Sequence, residues 1–374
     1  MTELELLEFR SKHSQMYNDN KLKLGHFGGN VSTGIPITTA STFKLTLDQN
    51  VRIAQRLEQA GFEALVPVAR WKGYGGSTNL HGDNWDTFIY AAAMASVTKK
   101  IQLFATNHVS TVHPIVAAKQ ATTIDHISSG RFGLNIVCGW YSPEMDMFGE
   151  KQRNHTDRYR HAQEWLDVVN HLWSVEGEFD HEGEFFKIIK GFHSPKPVDH
   201  VRPILINAGG SKEGRNFAAR NCDFLFTFAP SYEAGEAVIN NVKQMAWDHY
   251  KRELGYFTFA SVYCRETEKE ARDYYHYIVH EHGDWVAATN LCNEFGIQSE
   301  SLGEELTNQL KELFVAGWGG FPLIGTPEQV TEQLLKISGA GFDGCLLSWA
   351  DFDGDFDYFE QRVLPLMKQA GLRN

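Results

Sequence analysis

The sequence predicts a (β/α)8 TIM barrel with insertions at its C-terminal face, built as one domain over residues 1–374. Three observations carry that prediction. Short apolar runs, each followed by a helical pattern, recur eight times, which is the repeat of such a barrel. No strand is followed by a G-x-G-x-x-G or Walker spacing, and GYGGST at 73–78 lacks it, so the doubly wound alternative has no phosphate loop. Three segments, 141–157, 176–197 and 283–321, are too long for plain connections, as expected of insertions that build an active-site rim.

Taken in order, residues 1–20 read as an extension before the fold. The eight strands are expected at 22–27, 64–68, 101–105, 132–137, 204–208, 224–228, 257–262 and 344–348. Apolar runs of this length suit the interior strands of a parallel sheet, which are buried on both faces. The first helix, 45–60, stops at Gly61, and others are expected at 87–97, 114–126, 158–173, 213–220, 234–254, 267–280, 327–340 and 357–369. Segment 283–321, which ends in WGGF, is expected to act as a lid.

Composition narrows the function. A formal charge of −12 argues against nucleic acid or an anionic membrane surface as partner. No apolar run is long enough to span a bilayer, and the acidic start MTELELLEFR is unlike a signal peptide, so a cytoplasmic protein is expected. The five cysteines are scattered without any C-x-x-C, as suits buried thiols in a reducing compartment.

Chemistry in a barrel sits at the C-terminal ends of strands. That rule selects His26 and Asn30, Arg70 and Trp71, Thr106 and Asn107, Asn135 and Trp140, the Gly209-Gly210-Ser211 turn, Phe228, and Trp349 with Asp351. The set is rich in amides, hydroxyls and aromatics and poor in acid–base pairs, which suits the orientation of a flat cofactor. Asn135 stands inside an apolar strand, where an unmet amide costs about 1–3 kcal/mol. It is either bonded to a neighbouring strand or water, or held for a ligand; position leaves both open. INAGGSKEG at 206–214 puts two glycines and a serine at a helix start, the chemistry of a phosphate seat or of an ordinary capped helix. Arg158 and Tyr159, in the first turn of another helix, reach for the same anion or form a solvated face. The histidines 108, 113, 280 and 282 lack H-E-x-x-H spacing, and no metal is expected. Cys138 reads as a buried, inert thiol.

Four segments together resemble a known family: ATTIDHISSGRFGLNIVCGW (121–140), DRYRHAQEWLDVVNHLW (157–173), SPKPVDHVRPILINAGGS (194–211) and YFEQRVLPLM (358–367). They are similar to the bacterial-luciferase-like flavin-dependent monooxygenases, and the resemblance runs from about residue 21 to about 370. Within the family, Ala105-Thr106, the NIVCGW run and KGYGG at 72–76 look most like the pyrimidine-ring-opening subgroup. The resemblance implies reduced FMN as cofactor, dioxygen as co-substrate, and a separate NAD(P)H:flavin reductase as partner. It implies Thr106 and Asn135 as the oxygen-activating pair, acting through a flavin N5-peroxide on a small heterocyclic or amide-containing substrate. Ala69 and Arg70 are then expected on the flavin ring, Glu144 near the ribityl chain or ring edge, and Arg158, Tyr159, Gly210 and Ser211 on the phosphate. His26, Asn30, Trp71, Trp140 and Trp349 are expected to line the substrate pocket, and a homodimer or dimer of dimers is expected. Alternatives in the same family are a sulfone or sulfonate monooxygenase using a C4a-peroxide, a riboflavin-cleaving lyase and an F420-dependent oxidoreductase. A non-enzymatic flavin- or phosphate-binding protein and a metal-dependent barrel hydrolase are the readings from other classes.

Overall fold

The computed structural model describes residues 3–297 and 303–374. Its strands are β1 (Lys23–Phe27), β2 (Ala64–Val66), β3 (Gln102–His108), β4 (Phe132–Val137), β5 (Phe179–Glu182), β6 (Lys187–Gly191), β7 (Ile204–Asn207), β8 (Phe224–Phe226), β9 (Gly255–Cys264), β10 (Phe321–Gly325) and β11 (Gly344–Ser348). Strands β1–β4, β7–β9 and β11 are each followed by a helix, the (β/α)8 barrel alternation expected from sequence. The chain forms two compact units.

The first unit takes in the N-terminal segment to Asn18, Asp86–Phe226 and Val242–Leu254. Its parallel strands run β3-β4-β7-β8. Every residue of β3 is buried, as a strand covered on both faces requires. Gly133 on β4 lies beneath the Phe104 ring, where any Cβ would clash, so the glycine makes room for the aromatic on the neighbouring strand. The 176–197 insertion carries the antiparallel hairpin β5–β6, and the 141–157 insertion a short helix, Ser142–Met147. The N-terminal segment carries its own helix, Glu3–His13. Arg10 of that helix is buried and donates to Asp223 at 2.5 and 3.1 Å and to the Tyr17 hydroxyl at 2.6 Å. Arg202 holds the same carboxylate at 2.7 and 3.0 Å. Burial alone would raise the Asp223 pKa; Arg202 and Arg10 outweigh it and hold the carboxyl well below its usual range.

The second unit comprises Asp19–Trp85, Thr227–Asn241 and the chain from Gly255. Its parallel strands run β10-β9-β11-β1-β2. Strand β10 was not expected: it carries Pro322 and, among the described residues, pairs only with β9, the edge position where proline is tolerated. Within the expected lid the described residues form two helices, Trp285–Glu294 and Glu304–Gly317, while residues 298–302 lie outside the described set. The second helix ends on Trp318, whose φ of 56° is the left-handed cap conformation that usually takes glycine. Its indole stacks on His81 at 5.2 Å and meets Tyr74 edge-on at 5.9 Å.

Candidate active site

Thr106 and Asn135 are directly opposed in the β3–β4 ladder, so their side chains leave the same face of the sheet. Asn135 donates from Nδ2 to the Thr106 hydroxyl at 3.1 Å. The Thr106 carbonyl accepts from the Thr87 hydroxyl at 2.7 Å, which fixes the strand from the other side. Both side chains are buried, and Asn135 Oδ1 has no hydrogen-bond partner among the described residues. A buried acceptor left unmet costs about 1–3 kcal/mol, so the position is held against stability.

The strand ends in Cys138-Gly139-Trp140. Burial pushes the Cys138 thiol up to about 12, so it stays protonated and is no nucleophile at neutral pH. Arg158 donates from Nη1 to the Gly139 carbonyl at 2.8 Å, while its Nε is buried with no partner among the described residues. Trp140 is half-buried, packs against Tyr141 at 5.8 Å, and accepts from Gln152 through its carbonyl. Glu144 is fully buried with Oε2 3.5 Å from His108 Nδ1. That pairing was not visible in the sequence, where His108 has no carboxylate nearby. Among the described residues no cluster of three or more ligating side chains can hold a metal ion.

At the end of β7 the chain turns through Gly209 and Gly210 into helix Lys212–Asn221, capped by Ser211, whose hydroxyl accepts from Gly214 N at 3.1 Å. Gly209 is pressed against Asn207 and the Gly214 backbone, the latter 2.7 Å from where a Cβ would stand. Gly210 faces open space. Tyr159 shares a hydrogen bond with Ser211 and packs over Gly214; burial raises its pKa to about 12, leaving a neutral phenol. The first unit thus joins Tyr159 and Ser211 directly, with Gly210 exposed beside them. Open space above a helix N-terminus, a phenol and a buried unpartnered Arg158 nitrogen fit a phosphate monoester, and the unmet Asn135 acceptor fits a polar ring edge.

The remaining candidates lie in the second unit. His26 donates through Nδ1 to the Leu347 carbonyl at 3.0 Å and stacks on Trp349 at 6.1 Å. Burial lowers its pKa to about 4, so it is neutral at neutral pH. Trp349 is packed among Phe62, Phe352, Phe356 and Phe359, an aromatic core rather than an open wall. Asn30 was expected to face a ligand. Instead its amide donates to the Val68 and Trp85 carbonyls and accepts from Val68 N, so it anchors its loop to the segment after β2. Ala69 and Arg70 are buried, with the Arg70 guanidinium 5.0 Å over the Tyr74 ring, and Trp71 is exposed.

The family profile described as luciferase-like monooxygenase matches residues 24–344. The chain belongs to the luciferase-like monooxygenase family. It is 30% identical over 360 residues to an FMNH2-dependent dimethylsulfone monooxygenase from Pseudomonas fluorescens (strain Pf0-1), covering 93% of this chain and 95% of that protein. It is also 30% identical over 335 residues to the pyrimidine monooxygenase RutA of Acinetobacter baylyi (strain ATCC 33305 / BD413 / ADP1), covering 88% and 89%. Among solved structures, riboflavin lyase (RcaE) with modified FMN and riboflavin superposes with a TM-score of 0.84 at 22% identity, covering 94% of this chain and 92% of that one. The long-chain alkane monooxygenase LadA gives 0.83 at 21%, covering 96% and 93%. These likenesses establish the luciferase-like barrel. Among the described residues no helix is long and apolar enough to cross a membrane.

Proposed function

We propose that this luciferase-like protein is a two-component monooxygenase that uses reduced FMN from a separate NAD(P)H:flavin reductase to oxygenate a small heterocyclic or amide-containing substrate. The observation that carries this reading is the in-register Thr106–Asn135 pair with its unmet, buried Oδ1. Reduced FMN supplies the two electrons by which dioxygen gives one atom to substrate and the other to water. Gly210, Ser211 and Tyr159 hold the phosphate, and Arg158 adds positive charge beside it. Asn135 and Thr106 orient the reacting edge and the oxygen by hydrogen bonds in a site from which water is excluded. Assignment of Ala69, Arg70 and Glu144 to the flavin rests on the family resemblance.

The test is reconstitution with a flavin reductase, NADH, FMN and labelled dioxygen over a panel of pyrimidines, lactams and sulfones. Product bearing one labelled oxygen is expected with wild type. Asn135→Ala and Thr106→Val are each expected to lower product formation by about 100-fold, the scale of losing one preorganised donor, while the FMN Kd stays within about twofold. Full product formation by both variants would remove the assigned role. The dimethylsulfone relative is as similar as the pyrimidine relative, so a sulfone substrate is the second reading, and the panel separates the two.

A further inference from the structure

Two rings in contact in the second unit each carry a buried polar atom with no partner among the described residues: Nδ1 of His81 and Nε1 of Trp318. His81 is fully buried and bonds the Gly34 carbonyl through Nε2 at 2.7 Å. A carbonyl only accepts, so Nε2 carries the hydrogen. Burial lowers the imidazole pKa to about 3, with Arg70 adding to the effect, so the ring is neutral and Nδ1 is a bare acceptor. Trp318 stacks on this ring with centres 5.2 Å apart and planes 24° from parallel. Its indole N–H can only donate. One unmet acceptor and one unmet donor are thus held on neighbouring rings.

Packing does not account for the pair. Buried tryptophans ordinarily find a partner for the N–H, and phenylalanine would fill the space without leaving one unmet. The backbone adds to the cost: His81 and Trp318 each have a φ of 56°, in the left-handed region that bulky residues avoid. Strain at both members of one contact, with an unmet group on each, marks a place kept for something outside the chain. Tyr74 meets Trp318 edge-on at 5.9 Å and Phe27 does so at 6.5 Å, so the surroundings are aromatic. Trp318 is half-buried at the end of helix Glu304–Gly317, which makes it the outer ring and His81 the inner.

We propose that His81 and Trp318 read the lactam edge of the substrate, a ring N–H beside a ring carbonyl. His81 Nδ1 accepts from the N–H, Trp318 Nε1 donates to the carbonyl, and the indole swings on its cap residue to admit the ring. This rests on the reading of the protein as an oxygenase of heterocyclic or amide-containing substrates and narrows it. A sulfone offers two acceptor oxygens and no hydrogen for His81 to accept. The test is binding to the full-length protein with oxidised FMN present and no reductase, by calorimetry with uracil, its doubly N-methylated analogue and dimethylsulfone. The indole N–H resonances of isotope-labelled tryptophan are followed in parallel. Uracil is expected to bind about tenfold more tightly, or better, than either other probe, and to shift the one indole resonance that Trp318→Phe removes. His81→Gln keeps an Nε2 donor for Gly34 and is expected to bring uracil and its methylated analogue within about twofold of each other. Trp318→Phe is expected to weaken both by about tenfold. The resonance shift is read in wild type and needs no folded variant. Absence of uracil binding, no preference over the methylated analogue, a preference that survives His81→Gln, an unshifted Trp318 resonance, or tighter binding of dimethylsulfone overturns the proposal. The expected binding pattern without labelled product in the reconstituted reaction refutes the oxygenase reading and leaves this edge standing.

Discussion

Asn135 spends one amide hydrogen on Thr106 and keeps its oxygen unmet in a buried setting. A buried acceptor left unmet in this way lowers stability, and replacing it with an apolar side chain of similar size removes the unmet acceptor. Asn135→Leu is therefore expected to melt at or above the wild-type temperature, by up to about 1 kcal/mol in stability, while losing oxygenation. A clear drop in Tm would show that the amide is structural. His26 behaves oppositely: it is neutral above about pH 4 and shielded by Trp349, so it contributes no titration to a pH–activity profile near neutrality. The sequence singled out both residues by their place at strand ends. It did not distinguish an amide left open from one already satisfied, and so Asn30 looked like Asn135. What separates them is the backbone of residues 68 and 85, brought to Asn30 by the fold.

At the level of elements, the turn after β7 shows why adjacent glycines are not equivalent. A methyl group on Gly209 meets the Gly214 backbone at 2.7 Å, so Gly209→Ala forces the turn away from the helix and is expected to cost about 1–3 kcal/mol in urea denaturation. A methyl group on Gly210 meets nothing within 4 Å among the described residues, so Gly210→Ala is expected to melt like wild type, yet to weaken FMN binding by crowding the proposed phosphate seat. Equal effects of both on Tm would contradict this division. Ser211→Ala removes the cap and is expected to cost about 1 kcal/mol together with FMN affinity. The barrel strands were readable because parallel strands buried on both faces leave continuous apolar runs. Hairpin β5–β6, whose FDHE and KIIKG alternate exposed positions with half-buried or buried ones such as Ile188, leaves none. Strand β10 was hidden by Pro322, and the His108–Glu144 pair by the distance in sequence between its members.

On the scale of the whole molecule, the N-terminal segment is tied in by Asp223, which serves Arg10 and Arg202 together. The Asp223 carboxyl has a folded pKa below its unfolded value of 3.8, so the unfolded state binds the proton first. Its stabilisation is complete above about pH 4 and is lost as pH falls below that. Asp223→Asn leaves two arginines without their countercharge and is expected to cost about 3–5 kcal/mol at pH 7, a gap that narrows toward pH 3 in denaturant melts. A gap independent of pH would mean that the contact acts by packing alone. The sequence had residues 1–20 as an extension because nothing local marks Arg10 as buried; its partner lies 213 residues away.

The β3–β4 register has a further consequence for how such a protein diversifies. Thr106 and Asn135 meet because two strands share a hydrogen-bond ladder, so their spacing is inherited from the scaffold and a slip of one residue would part them. Loops beyond the strand ends can be lengthened, shortened or recoloured without touching a single rung of that ladder. Under the proposed function, novelty in what is oxidised can therefore accumulate at the periphery while the means of oxidation stays fixed in the weave of the sheet.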